Sequence, residues 1–177
     1  MATIVPCVTV STPEDYKASL ERIHTFATRI HIDISDGQFA PIELLAPNQI
    51  WWPQEWQIDI HAMVNQPSLY VPQLITLKPN MITLHAEAQE DILPWLQQIK
   101  QVGIRAGVAL LRSTVPSDVA GLIEAADHVM IFSGELGKYG GSASMMQLEK
   151  VRLVKNINAG TEIGWDGGVS VENAFSL

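Results

Sequence analysis

Apolar, strand-like runs alternate with helix-like stretches along the whole chain, and that alternation leaves few folds open. The strand candidates are 3–10 (TIVPCVTV), 29–35 (RIHIDIS), 57–64, 81–87, 104–111, 128–134 and 161–168. Helical patterning falls at 12–27, where Thr12 stands as an N-cap before Pro13. It recurs at 67–75 (interrupted by Pro72), 90–102, 115–125 and 144–157, and a last helix begins at 170. Repeated β-then-α units predict a parallel sheet with helices outside it. Seven units exceed an ordinary three-layer sheet of this size and suit a (β/α)8 TIM barrel. The eighth unit is missing, and the chain stops on the apolar AFSL at 174–177. The expectation is a single barrel domain over 1–177, truncated before strand 8. It would be either a fragment or a short version closed by a partner chain.

Composition narrows the class. A hydrophobic content of 47% excludes disorder, and a net charge of −8 without a basic run argues against nucleic acid or an anionic membrane. No apolar run approaches a membrane span, and the N-terminus has no basic leader region. The single cysteine, Cys7, excludes an internal disulfide framework and fits a reducing compartment, hence a cytoplasmic location. The tryptophans at 51, 52 and 56 suit core packing or a subunit contact, so a homo-oligomer stays open.

The second strand carries an unusual face. Alternation puts Ile30, Ile32 and Ile34 on one side and His31, Asp33 and Ser35 on the other. Burying a carboxylate is costly unless it is paired or ligates a metal. Two readings follow: a metal or catalytic site, or a satisfied His–Asp hydrogen bond. The pattern repeats in strand three, with Asp59, His61 and Met63 opposite two isoleucines, and in strand four, with Thr83, His85 and Glu87. Strand seven presents Asp166 before Gly167 and Gly168. In such barrels the functional end is the C-terminal end of the strands. His31, Asp33, His61 and Asp166 thus form a credible set for a divalent cation. His85 has a simpler reading, a core histidine bonded to Glu87 or to backbone, and His24 and His128 read as residues without a role. GELGKYGGS at 134–142 is a glycine-rich loop, read either as a flexible loop or, with the later Asp-Gly-Gly, as a phosphate cradle.

These stretches together resemble ribulose-phosphate 3-epimerases: HIDISDGQFAP, DIHAMV, ITLHAE, ADHVMIFSGELGKYGGS and GWDGGVS occur in that family's order. The resemblance implies a metal-dependent isomerase that inverts C3 of a ketopentose 5-phosphate. It implies one divalent ion, Zn²⁺ first, with Fe²⁺, Mn²⁺ or Co²⁺ as alternatives, held by His31, Asp33, His61 and Asp166. Asp33 and Asp166 would also be the two acid/base groups. Cys7, His61, Met63, Gly137, Tyr139, Gly140, Gly141, Gly167 and Gly168 would contact the phosphorylated ketose. Cys7 replaces the family's serine, Ser35 and Phe132 replace methionines, and Leu111-Arg112 replaces Asn-Pro. The sixth loop is one residue longer around Lys138, and the Gly-Ser of the eighth strand is absent. The altered positions concern the substrate rather than the proton transfer. Another ketose phosphate, or a non-catalytic phosphosugar- or metal-binding homologue, is the alternative reading. A decarboxylase or aldol-type relative would need a lysine on strand three, where DIHAMV has none.

Overall fold

The computed structural model describes residues 2–136 and 140–177. Seven parallel strands pair in sequence order: β1 (Cys7–Val8), β2 (Arg29–Ser35), β3 (Gln57–Met63), β4 (Met81–His85), β5 (Arg105–Leu110), β6 (His128–Phe132) and β7 (Glu162–Asp166). The helices between them are α1 (Pro13–Ile23), α2 (Val71–Thr76), α3 (Leu93–Gln101), α4 (Ala120–Ala125) and α5 (Glu149–Ile157). The architecture is that of a (β/α)8 barrel whose described strands number seven. It agrees with the expectation from β/α alternation.

The elements follow local chemistry. The Thr12 side chain accepts the amide of Asp15, and Pro13 starts α1 without an orphan N–H. Pro72 does not interrupt a helix as expected. It lies in the first turn of α2, after a separate 3₁₀ turn at Pro67–Leu69. The first strand is shorter than the 3–10 run. Only Cys7 and Val8 pair with β2, although the Pro6 carbonyl also accepts the His31 amide at 2.8 Å. The stretch from 170 forms turns rather than the expected helix, and Val171 and Phe175 are fully exposed. Without an apolar face buried, so short a segment has little to hold it helical.

The isoleucines of β2, β3 and β4 pack outward with Tyr16, Leu20, Leu74, Leu96 and Ile99 in one apolar cluster. The tryptophans divide: Trp56 is buried in that cluster, Trp52 packs partly against it, and Trp51 is half exposed. The opposite face of the strands is the interior, and its lowest level is polar. Arg29 Nε meets Asp59 Oδ2 at 2.8 Å, and its Nη1 meets Glu162 Oε1 at 3.3 Å. Asn80 donates to Asp59 at 2.7 Å, and Arg105 pairs with Glu162. His128, read from sequence as inert, is buried here, 3.7 Å from Glu162. In a flat sheet β2 and β7 would stand roughly 24 Å apart at the usual strand spacing. The Arg29–Glu162 contact therefore measures how far the sheet rolls.

His128 first, then Arg105 and Arg29, hold the Glu162 carboxyl well below its ordinary value. Stability from this group is therefore full above the ordinary glutamate pKa of 4.5 and is lost as the pH falls below it. Because Glu162 is 40% exposed, the effect is screened, about 1 kcal/mol at neutral pH. Glu162→Gln should lower the melting temperature at pH 7 and flatten the loss of stability between pH 5 and pH 3. Thermal denaturation of both proteins across that range checks it.

Candidate functional site

The polar groups at the upper end of the strands come from a simple register. Cys7 lies beside His31, and Asp33 beside His61, in the parallel ladders. Asp166 closes β7 beside Phe132 of β6. The roll brings Asp166 across the interior, so that its Oδ2 lies 3.7 Å from His61 Nδ1. One ligating atom from each of His31, Asp33, His61 and Asp166 lies within 4.8 Å of the others. The set singled out from sequence is thus assembled from β2, β3 and β7.

Asp33 is the hub. Its Oδ1 lies 3.0 Å from His31 Nε2 and 3.1 Å from His61 Nδ1. Its Oδ2 accepts from the Thr9 hydroxyl at 2.5 Å and from Cys7 Sγ at 3.3 Å. Burial opposes the charge, but the adjacent imidazoles of His31 and His61 hold the Asp33 carboxyl well below the usual range. Burial likewise works against charge on His31, yet Asp33 overrides it and pushes the imidazole up to about 9. Burial first, then the charges of Asp33 and Asp166, push the Cys7 thiol up. Asp166 is the more accessible carboxyl, with its side chain 24% exposed against 8% for Asp33.

The arrangement fits a divalent cation. His31 Nε2 is buried without a hydrogen bond, because its approach to Asp33 lacks hydrogen-bond geometry despite the short distance. An orphaned imidazole nitrogen 3.0 Å from a carboxylate oxygen, in a cluster that holds a second carboxylate, is what a bound cation satisfies. Two imidazoles and two carboxylates are suitable donors for it.

His85 follows the simpler of its readings in part. Its Nδ1 meets Glu87 Oε2 at 3.2 Å, and its Nε2 meets His61 Nε2 at 2.8 Å. Burial pulls His85 down to about 4 against the opposing pull of Glu87. Met63 is buried in a small cluster with Ala40 and Leu44, bordered by Phe39 and Leu136. Asp36 organises the loop above β2: its Oδ1 accepts the amides of Gln38 and Phe39, and its Oδ2 accepts that of Asn65 at 2.7 Å.

The loops after β6 and β7 meet. Gly167 has φ +91°, and a Cβ there would lie 2.1 Å from the Gly134 amide nitrogen, so only glycine fits. A Cβ on Gly168 would lie 2.2 Å from Ala143 N, and the Gly168 amide donates to Gly140 O at 3.1 Å. Gly140 and Gly141 border this junction, whereas Gly137 and Tyr139 lie outside the described residues. An open cavity of about 470 Å³ adjoins it, lined in part by Arg112, Phe132, Gly134 and Leu136.

Two contacts escaped sequence reasoning. Thr9 reaches Asp33, and its place two residues after Cys7 on one strand face was the available signal. Arg112 donates to Ser133 O and, at 2.7 Å, to Ser142 O, clasping both roots of the glycine loop. Nothing in its immediate sequence marks that reach.

The profile described as "Ribulose-phosphate 3 epimerase family" matches residues 3–177. The chain belongs to the ribulose-phosphate 3-epimerase family. It is 30% identical over 155 residues to the ribulose-phosphate 3-epimerase of Helicobacter pylori, covering 84% of this chain and 71% of that one. Identity to the Aquifex aeolicus ribulose-phosphate 3-epimerase is 31% over 153 residues, with 81% and 68% covered. The Oryza sativa cytoplasmic isoform is 32% identical over 179 residues, with 95% and 77% covered. Among solved structures, a Mycobacterium tuberculosis tryptophan synthase chain superposes with a TM-score of 0.65 at 13% identity, over 95% of this chain and 75% of that one. That likeness concerns the fold alone. No helix among the described residues is long and apolar enough to cross a membrane.

For this member of the ribulose-phosphate 3-epimerase family, His31→Ala and His61→Ala should each abolish tight retention of added zinc. His24→Ala, at the exposed C-cap of α1, should retain it. Metal analysis after dialysis of the three variants checks this.

Proposed function

We propose that this chain interconverts ribulose 5-phosphate and xylulose 5-phosphate by inverting C3, using a divalent ion and two carboxyl groups. The observation that carries the reading is the approach of Asp33 on β2 and Asp166 on β7 within one cluster with His31 and His61, whose ligating atoms lie within 4.8 Å of one another. His31, Asp33, His61 and Asp166 would hold the ion, Zn²⁺ first among Zn²⁺, Fe²⁺, Mn²⁺ and Co²⁺. When bound, it supplies Lewis-acid stabilisation of negative charge developing on the substrate oxygens.

The proton transfers belong to the chain. In one direction the Asp33 carboxylate takes the C3 proton, and the bonding pair moves toward the neighbouring carbonyl. Asp166, as the carboxylic acid, returns a proton to the opposite face of C3. In the reverse direction the roles exchange. The task needs carboxyls of unlike environment. Asp33 is buried and held by Thr9, Cys7 and two imidazoles, while Asp166 is more open.

The phosphate would lie at the junction of the two glycine loops, near the backbone of Gly140, Gly141, Gly167 and Gly168. The buried Met63 and Phe132 would line the apolar side. Cys7 would act on the substrate indirectly, through its hydrogen bond to Asp33. A cytoplasmic location suits the single free thiol and the phosphorylated substrate. The same two-carboxyl chemistry serves a six-carbon ketose phosphate, and the Leu111-Arg112 segment beside the cavity is the feature that favours this second reading.

A coupled assay on ribulose 5-phosphate should lose turnover on chelation and regain it with Zn²⁺ or Fe²⁺. Turnover with a six-carbon ketose phosphate alone would select the second reading, and no turnover with either would refute both. Asp166→Asn should lower kcat by roughly 10²- to 10⁴-fold, the usual worth of a positioned acid or base, with zinc retention assayed in parallel.

A further inference from the structure

A buried chain of polar contacts runs away from the candidate metal site toward the loop after β5. His61 Nε2 lies 2.8 Å from His85 Nε2, and His85 Nδ1 lies 3.2 Å from Glu87 Oε2. The other oxygen of Glu87 accepts the Leu111 amide at 2.9 Å and the Thr114 hydroxyl. Both imidazoles are fully buried, and the Phe132 ring lies 5.9 Å from each. Phe39 covers His85 at 4.5 Å between ring centroids.

With Glu87 ionised and His85 neutral, only one ordering of protons satisfies this chain. Glu87 Oε1 accepts from Leu111 and Thr114, and with the group an ionised carboxylate its Oε2 can only accept from His85. A lone pair on His85 Nδ1 would face that carboxylate, so the proton sits on Nδ1. His85 Nε2 is then an acceptor, and His61 must donate to it from Nε2. His61 Nδ1, 3.1 Å from Asp33 Oδ1, is thereby the ring position that gives up its proton and offers a lone pair when a cation binds.

We propose that Glu87 and His85 are positioning residues that fix the tautomer of His61 and present its Nδ1 to the bound cation. Neither touches substrate or reacting atoms. The inference rests on the metal site proposed above, and it adds a directional constraint that the four ligands alone do not supply. Partners of this kind raise ligand basicity and hold ring orientation, and their loss commonly lowers metal affinity 10- to 100-fold.

Glu87→Gln reverses the ordering while preserving size. The Leu111 amide and the Thr114 hydroxyl hold the amide oxygen of the new side chain, which turns its NH₂ toward His85 Nδ1. His85 then donates from Nε2, and His61 carries its proton on Nδ1, facing the metal. The experiment pairs zinc affinity, by competition with a chromophoric chelator, with histidine ¹⁵N–¹H NMR of the unmodified protein without and with Zn²⁺. The expected results are an affinity about 10- to 100-fold lower in Glu87→Gln, and a parent His85 protonated at Nδ1 and bare at Nε2. Affinity within twofold of the parent, or a parent His85 protonated at Nε2, overturns the proposal. A parent that binds no zinc refutes the metal site itself and with it the presentation of Nδ1. The parent spectrum gives the tautomer even if the variant does not fold.

Discussion

The rolling of the parallel sheet, until β7 faces β2 and β3 across the interior, is the constraint on which the rest of the structure depends. Laid flat, β3 and β7 would be roughly 19 Å apart at ordinary strand spacing, and His61 could not come within 3.7 Å of Asp166. Two features act together on that roll. Outside, the isoleucines of β2, β3 and β4 pack against the helices. Inside, at the lower end, Glu162 of β7 gathers Arg29, Arg105 and His128 from β2, β5 and β6. The lower ion pairs and the upper His/Asp cluster are consequences of one curvature, read at two heights.

Within that frame, burial determines how the upper residues differ. Asp33 is enclosed and accepts hydrogen bonds from Thr9 and Cys7 on the β1 side. Asp166 sits at a strand end beside a loop and is more open. Two carboxyls of one chemical type are thereby made unlike, which is what proton abstraction from one face and return to the other require. The His61–His85–Glu87 chain extends the same logic outward and ties the His/Asp cluster to the loop after β5. From that loop Arg112 reaches the two roots of the glycine loop after β6.

The fold and the convergence of His31, Asp33, His61 and Asp166 were legible because period-two alternation is a strong signal. Isoleucines facing His31, Asp33 and His61 across a strand announce an interior that is not purely apolar. What stayed hidden depends on distance in the chain. The link between His61 and His85 depends on the register of β3 on β4, which sets His61 beside Thr83, two residues before His85. The Arg112 clasp depends on a loop path that local residues do not encode. Thr9 reads as an ordinary β-branched strand residue until Asp33 is placed beside it. Helix boundaries shifted for a local reason: Pro67 and Pro116 open 3₁₀ turns that precede α2 and α4 rather than belong to them. The 170–177 segment has apolar residues but buries little of them, so its pattern did not become a helix.

The central claim is that one cation sits between Asp33 and Asp166 and is held by His31 and His61. Anomalous diffraction at the zinc edge, from crystals of the zinc-loaded protein, tests it most directly. The account predicts a single strong peak about 2.0–2.2 Å from His31 Nε2, His61 Nδ1 and one oxygen of each aspartate. A peak that leaves out either aspartate, or zinc bound elsewhere on the chain, would contradict it.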